Sequence, residues 1–152
     1  MSRRKKQSYE NLEITAYAAE GKSIGKLEDG KVLFVENAIP GDKVNVRVVK
    51  DKKSWAEAKI TALVAPSPNR IPAFCSHFGV CGGCKWQMLP YDLQIQYKQQ
   101  QVIDQLTRIG QLTLPPVLPI LGSPIQTYYR NKIEFTFSKH RYRTSEELKQ
   151  AD

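Results

Sequence analysis

The sequence predicts a mainly β fold with one long helix. It indicates a small antiparallel barrel, then a cysteine-rich loop and the helix, then the start of a further domain. Short runs of alternating apolar and polar residues recur between turn signals over residues 9–64. All three cysteines lie within residues 75–84. One stretch with apolar residues at helical spacing follows them, over residues 90–110.

The barrel is predicted from strands that follow one another without an intervening helix. Residues 20–26 read as a glycine-bearing loop with lysines, Asp29-Gly30 as a hairpin turn, and residues 31–35 as the next strand. Residues 44–48 alternate valine with polar residues, and residues 56–62 form the last strand. About five short strands in this arrangement are typical of a small barrel. Residues 1–8, which precede it, are expected to be a disordered basic arm.

Positive charge points to a polyanionic partner such as RNA. The chain has 152 residues, a net charge of +8 and a pI of about 9.4. Loop lysines often serve solubility alone, but a collective excess beside a tryptophan favours a nucleic-acid surface. Trp55 fits either a stacking platform or the barrel core, depending on strand register. The candidate RNA-binding residues are Lys22, Lys26, Lys50, Lys52, Lys53, Trp55, Arg130 and Lys132.

A proline-bearing segment, residues 66–72, follows the barrel and is expected to be a stiff linker that separates the barrel from the cysteines. Cys75, Cys81 and Cys84 then form a C-x5-C-x2-C pattern among glycines. Thiolates this close favour an iron–sulfur cluster, with a structural zinc or a redox pair as alternatives. A 4Fe–4S cluster needs a fourth ligand, which is either His77 or a residue outside this chain.

Four segments describe the expected domain organisation: the basic arm 1–8, the barrel 9–64, the cysteine loop with its helix 65–114, and a truncated domain start 115–152. The helix, from Pro90 to Gly110, is expected to brace the cysteine loop. Within the last segment, residues 128–137 read as a strand that needs partners. No transmembrane run or secretory signal is recognisable, and free cysteines suit a reducing compartment, so we expect a cytoplasmic protein with no membrane partner.

Taken together, these motifs resemble a known family. Four features are similar to the N-terminal part of the iron–sulfur RNA uracil-5-methyltransferases. They are the barrel, the Cys75-x5-Cys81-x2-Cys84-Lys-Trp-Gln stretch, the glutamine-rich helix and Tyr129-Arg-Asn-Lys-Ile-Glu-Phe. The nearest members modify bacterial 23S ribosomal RNA. The resemblance implies that the barrel is an OB-like, RNA-binding TRAM domain. It implies that the three cysteines ligate a 4Fe–4S cluster, that the fourth cysteine lies further along, and that an α/β or β central domain follows.

The same resemblance implies a full-length enzyme that transfers a methyl group from S-adenosylmethionine to C5 of uridine in RNA. This chain would be the portion of that enzyme that binds RNA and holds the cluster. In that family a cysteine thiolate adds to C6 of the base and a general base removes the C5 proton. We expect no catalytic residue in this chain, because its cysteines are assigned to the cluster, and we expect a monomer. The alternatives are a stand-alone RNA-binding iron–sulfur or zinc protein without catalysis, and a fragment of a radical S-adenosylmethionine enzyme.

Overall fold

The computed structural model describes residues 7–81, 83–129, 132, 137–141 and 147. Five strands form a closed barrel in the order β1-β2-β3-β5-β4. A helix, α1, follows the cysteine loop and continues as a π-helical turn, Gln105–Ile109. The elements are β1 Ser8–Tyr17, β2 Ser23–Lys26, β3 Val32–Glu36, β4 Lys43–Asp51, β5 Trp55–Ala65 and α1 Tyr91–Asp104.

This architecture confirms the predicted mainly β fold with a small barrel and one long helix. Four of the neighbouring strand pairs are antiparallel, as predicted, whereas β3 and β5 are parallel and close the barrel. A second difference concerns residues 20–26, which were expected to be a loop. A 3-10 turn, Ala19–Gly21, is followed directly by β2, because Ser23 and Gly25 point into the core and give this stretch a strand's alternation.

Alternation along each strand builds the barrel core. Every second residue points inward, and the apolar inward residues meet in one cluster. Burying side chains of this size stabilises the fold by about 1.5–3 kcal/mol each. The cluster comprises Leu12, Ile14, Leu33, Val35, Ala38, Val44, Val46, Val48, Ala56 and Ala58.

A second apolar core joins the barrel to the cysteine segment. Ile39, from the loop between β3 and β4, is fully buried against Met88 and Leu89, which follow the cysteines. Tyr17, Phe78, Leu93 and Tyr97 pack around these three side chains. The linker was expected to separate the barrel from the cysteine loop, and that expectation is wrong. The linker instead brings the two parts into one packed unit, because apolar residues on both sides have a common surface to bury.

The linker itself is fixed to the barrel by a buried carboxylate. Asp42 has no solvent exposure, and its oxygens accept hydrogen bonds from the N–H groups of Ile39 and Ser67, both at 2.8 Å. Arg70 donates to the same carboxylate from Nε at 3.1 Å and from Nη2 at 2.5 Å. Burial alone would raise the pKa of Asp42, but these hydrogen bonds outweigh it and hold the pKa below its ordinary value.

The helix contacts its surroundings on two sides. Leu93 and Tyr97, four residues apart, pack into the second core. On the neighbouring side, the Tyr91 hydroxyl accepts a hydrogen bond from the Ser123 N–H at 2.7 Å, and Gln99 bonds both Leu118 and Ile120. The helix therefore does brace the cysteine segment. Most of the predicted strand 128–137 lies outside the described residues, and no described helix is long and apolar enough to cross a membrane.

We expect Asp42→Asn to lower the free energy of unfolding by about 2–4 kcal/mol at pH 7. This loss is smaller than the loss expected when one partner of a fully buried ion pair is removed, because the Arg70 side chain can turn to solvent. Since the folded pKa is depressed, the stability from ionised Asp42 is fully present above about pH 4, the ordinary carboxyl pKa, and is lost as pH falls through the folded pKa. Urea unfolding at several pH values measures both effects.

The matched control is Glu10→Gln, which removes one carboxylate charge at an exposed position of β1. Its unfolding midpoint should stay close to that of the wild type. The difference between wild type and Asp42→Asn should shrink below about pH 4, when the wild-type carboxyl becomes protonated. Equal midpoints for Asp42→Asn and wild type at pH 7 would contradict this role.

A second prediction compares two glycines with similar backbone angles. Gly21 (φ +72°) would place an added Cβ 2.7 Å from the Lys85 Cβ and 2.9 Å from the Trp86 Nε1, whereas Gly30 (φ +82°) has nothing within 4 Å. Alanine at either position should cost about 1–2 kcal/mol of backbone strain. Alanine at Gly21 should cost roughly 1–3 kcal/mol more, because it pushes the cysteine segment off the barrel. Equal losses in chemical denaturation would show that this close approach does not matter.

Candidate nucleic-acid interface and cysteine site

Strands β2, β3 and β5 present their outward side chains as one surface, called the outer face below. Side chains that are paired in register on neighbouring strands form rows across the sheet, and two such rows lie around the aromatic residues. Neighbouring strands are about 4.8 Å apart. Partly exposed apolar side chains occupy the middle of both rows. The first row is Lys26, Val32 and Trp55; the second is Ile24, Phe34 and Glu57, extended by Lys50 of β4.

Two aromatic rings lie side by side on the outer face. The Phe34 and Trp55 ring centroids are 5.9 Å apart with an interplanar angle of 74°, an edge-to-face arrangement. Trp55 is partly exposed, while the next residue, Ala56, is 1% exposed in the barrel core. The register therefore places Trp55 outside the core, and its ring is accessible for stacking.

Two of the predicted lysines meet at the Glu57 carboxylate, next to the aromatic pair. The Lys50 Nζ lies 5.2 Å from the Trp55 ring centroid, a cation–π distance. The same ammonium lies 3.8 Å from the Glu57 Oε1, and the Lys22 Nζ lies 3.2 Å from that oxygen. Glu57 thus joins Lys22 to Lys50, and Lys50 lies over the Trp55 ring.

The other predicted lysines lie around this centre. Lys26 ends β2, and Lys52 and Lys53 form the turn between β4 and β5 next to Trp55; all three are exposed. Lys31, which was not predicted, pairs with Asp51, and that hydrogen bond raises the pKa of Lys31. The pairing ties the β2–β3 turn to the end of β4.

The two late candidates are not brought to this surface by the described structure. Arg130 lies outside the described residues. Lys132 is exposed, but its neighbours on both sides lie outside the described residues, so its place relative to the barrel is not defined. A cleft of about 560 Å³ next to Lys26 is lined by Glu10, Glu13, Glu28 and Asp29 among others, and this largely acidic lining does not suit phosphate.

The cysteine loop is built from successive turns at the surface. Cys81 and Cys84 are exposed, Cys75 is partly exposed, and all three are free thiols. The Cys75 carbonyl accepts from the Phe78 N–H at 3.0 Å, and the His77 carbonyl accepts from the Cys81 N–H at 3.2 Å. The Gln87 side chain accepts from the Cys75 N–H at 3.2 Å, which ties the start of the loop to its end.

The thiol groups of this loop are chemically suited to bind an iron–sulfur cluster. Three free thiols within ten residues are soft ligands of the kind that iron–sulfur clusters and zinc take. Within the described part of the chain, no three Cys, His, Asp or Glu side chains are close enough to hold a metal ion. His77 is exposed, with its Nδ1 3.3 Å from the Ser76 hydroxyl. The residues present therefore supply three thiol ligands on an open loop.

An aromatic junction connects the cysteine loop to the barrel. The Tyr17 ring lies 4.8 Å from those of both Trp86 and Tyr97, and the Lys98 Nζ lies 5.6 Å from the Trp86 ring. Burial raises the pKa of the Tyr17 hydroxyl. Among the described residues, neither this hydroxyl nor the Trp86 indole N–H has a hydrogen-bond partner. Packing, rather than polar pairing, holds these rings together.

Three features of the site were missed from the sequence. Phe34 is the stacking partner of Trp55, Glu57 holds the lysines, and Tyr17 with Trp86 forms the junction. Alternation along β3 is a signal that identifies Phe34, because Leu33 and Val35 are both fully buried and Phe34 lies between them. The role of Glu57 depends on which strands pair, which a single sequence does not reveal.

The chain is similar to several known proteins. Residues 3–61 match the TRAM domain. The chain is 48% identical to an uncharacterised RNA methyltransferase of Porphyromonas gingivalis, over 93% of this chain and 30% of that protein. It is 52% identical to one of Bacteroides thetaiotaomicron, over 88% of this chain and 29% of that protein. A conserved protein of Methanococcus maripaludis with a solution structure is 34% identical, over 37% of this chain and 77% of that protein, with a TM-score of 0.33.

These matches show which proteins the chain is similar to. The chain spans about 30% of the length of the curated relatives that it matches. The TRAM match covers most of the barrel, and the relatives match across most of the chain, including the cysteine segment. The chain carries a TRAM domain and is similar, over the part it spans, to these RNA methyltransferases.

Proposed function

We propose that this chain binds RNA on the outer face of its barrel and holds an iron–sulfur cluster in its cysteine loop. One observation carries the RNA-binding part: Lys50 lies over the partly exposed Trp55 ring beside Phe34, and Glu57 joins Lys50 to Lys22. Aromatic rings stack on bases and lysines contact phosphates, which together bind single-stranded RNA. The face of the second and third strands, with the loop between the fourth and fifth, binds oligonucleotides in OB barrels.

We further propose that the full-length protein is an S-adenosylmethionine-dependent methyltransferase that forms 5-methyluridine in 23S ribosomal RNA and acts as a monomer. The names of the relatives support RNA methylation. The uracil-5 position, the ribosomal substrate and the cofactor are inferred from the motif resemblance around the three cysteines. Within this chain, the barrel would bind and orient the RNA, and the methyl-transfer residues would lie elsewhere in the protein.

Cys75, Cys81 and Cys84 would hold the cluster, which we propose to be of the 4Fe–4S type. When bound, the cluster would neutralise the three thiolates and fix a loop that otherwise lies open at the surface. The fourth ligand would come from outside this chain or from His77. A zinc ion in the same place is the second candidate, since the thiol ligands suit both metals.

The RNA-binding proposal predicts a loss of salt dependence when the loop lysines are removed. Each phosphate contact on single-stranded RNA contributes about 0.7 to the slope of log K against log salt. Changing Lys50, Lys52 and Lys53 together to alanine should therefore flatten the slope by about 2. Trp55→Ala should instead cost about 1–3 kcal/mol of binding with the slope unchanged, because it removes stacking. Anisotropy titrations of a labelled ribosomal RNA fragment at several salt concentrations measure both.

A variant with Lys43, Arg47 and Arg108 changed to alanine is the matched control. It removes three positive charges from exposed positions on β4 and on the π-helical turn, outside the outer face. Its slope should change by less than that of the loop variant. If the two triple variants behave alike, the charge acts through the whole chain and the outer face is not the RNA site.

The cluster proposal predicts that the three cysteines act together. After anaerobic reconstitution with iron and sulfide, the wild-type chain should show broad visible absorbance and bound iron. Cys75→Ser, Cys81→Ser and Cys84→Ser should each lose most of the iron. The circular dichroism spectra of these variants should still show a folded barrel, because no residue of the cysteine loop belongs to the barrel core.

Ser76→Ala is the control, since it changes an exposed hydroxyl within the same loop. It should retain the iron of the wild type. Full iron content in all three serine variants would refute the ligand assignment. A colourless wild-type chain that binds zinc through the same cysteines would favour the zinc alternative.

A further inference from the structure

We propose that Glu57 determines specificity on the outer face, where it favours unpaired RNA bases over paired RNA and other polyanions. This inference rests on the proposed RNA-binding function of the face. Its motivation is a carboxylate next to the aromatic pair that lies within 4 Å of two candidate RNA-binding lysines. Such a group repels phosphate, so its position calls for a reason other than attraction to the RNA backbone.

The geometry gives Glu57 control of both central lysines. Its Oε1 lies 3.2 Å from the Lys22 Nζ and 3.8 Å from the Lys50 Nζ, and its side chain is 29% exposed. A phosphate that binds either lysine must compete with this partly buried carboxylate. Glu57 therefore lowers the attraction of the face for every polyanion, whatever its base pairing.

The position of Glu57 beside the rings allows a favourable hydrogen bond to an unpaired base, but not to a paired one. Glu57 is two residues after Trp55 on the same side of β5, about 7 Å along the strand, and it pairs in register with Phe34. A base stacked on these rings brings its edge to the carboxylate. Glu57 accepts hydrogen bonds, and the Watson–Crick edges of unpaired bases carry N–H donors. In a duplex those donors are already used in base pairs and the base faces are covered.

The two effects predict a change in selectivity when the charge is removed. Glu57→Gln keeps the shape of the side chain and removes the competing charge. Duplex RNA, which contacts only the lysines, should bind roughly three- to tenfold more tightly. Single-stranded RNA gains the same phosphate attraction but loses the carboxylate contact to its bases, so its affinity should change less than about twofold. The preference for single strands should fall at least about threefold.

The experiment measures the dissociation constants of a fluorescently labelled single-stranded RNA oligonucleotide and of the same strand annealed to its complement. Wild type, Glu57→Gln and the matched control Glu10→Gln are compared at one salt concentration. Glu10 is exposed on β1, so the control makes the same charge change away from the rings. Thermal melts confirm that each variant is folded. Glu57→Asp, which keeps the charge, provides a second variant and should keep duplex affinity near that of the wild type.

A fall in the single-strand preference for Glu57→Gln, absent in Glu10→Gln, supports the proposal. An unchanged ratio of the duplex to the single-strand dissociation constant overturns the proposal. This includes the case in which both RNAs bind more tightly by the same factor, because Glu57 would then be only a general repulsive charge. If wild type binds neither RNA, the proposed RNA-binding function fails and this inference fails with it. Binding by wild type with no selectivity change in Glu57→Gln overturns the inference alone.

Discussion

The buried Asp42 carboxylate is the interaction on which the arrangement of this chain depends. A carboxylate without solvent exposure is stable only when its oxygens are hydrogen-bonded, and here its partners come from two segments: Ile39 in the loop after β3, and Ser67 and Arg70 in the linker. Satisfying that charge turns the linker back onto the barrel. Ile71 then donates to the Met88 carbonyl at 3.0 Å, and Met88 and Leu89 bury against Ile39. The position of the cysteine loop follows from this sequence of contacts.

One consequence is that the two candidate sites share a short stretch of chain. The turn Ala19–Gly21 approaches Lys85 and Trp86 so closely that Gly21 leaves no room for a Cβ. The next residue, Lys22, pairs with Glu57 on the outer face. The cysteine segment therefore contacts the barrel one residue away from a candidate RNA-binding lysine. A change in the order of the cysteine loop has a direct physical route to the outer face through Trp86, Gly21 and Lys22.

The sequence predicted most of the fold because its signals are local. Strand alternation, the Asp29-Gly30 turn, the proline-limited helix and the cysteine spacing each depend on residues close together in the chain. The parallel β3–β5 pair, the docked linker and the outer face depend on contacts between distant residues. Glu57 and Lys22 are 35 positions apart, and Asp42 and Arg70 are 28 apart. Trp55 was ambiguous for the same reason, since only strand register decides whether it or Ala56 faces the core.

The shared core is the central claim, and two probes of one unfolding reaction test it most directly. The chain has two tryptophans, so Trp55→Phe leaves Trp86 as the sole tryptophan reporter of the junction, while amide NMR signals of core residues such as Val44 and Val46 report the barrel strands. In a urea titration, a barrel and cysteine segment that share a core and the Asp42 hydrogen bonds should unfold together, with coincident midpoints for both signals. A Trp86 transition complete at lower urea, before the barrel signal changes, would contradict the claim.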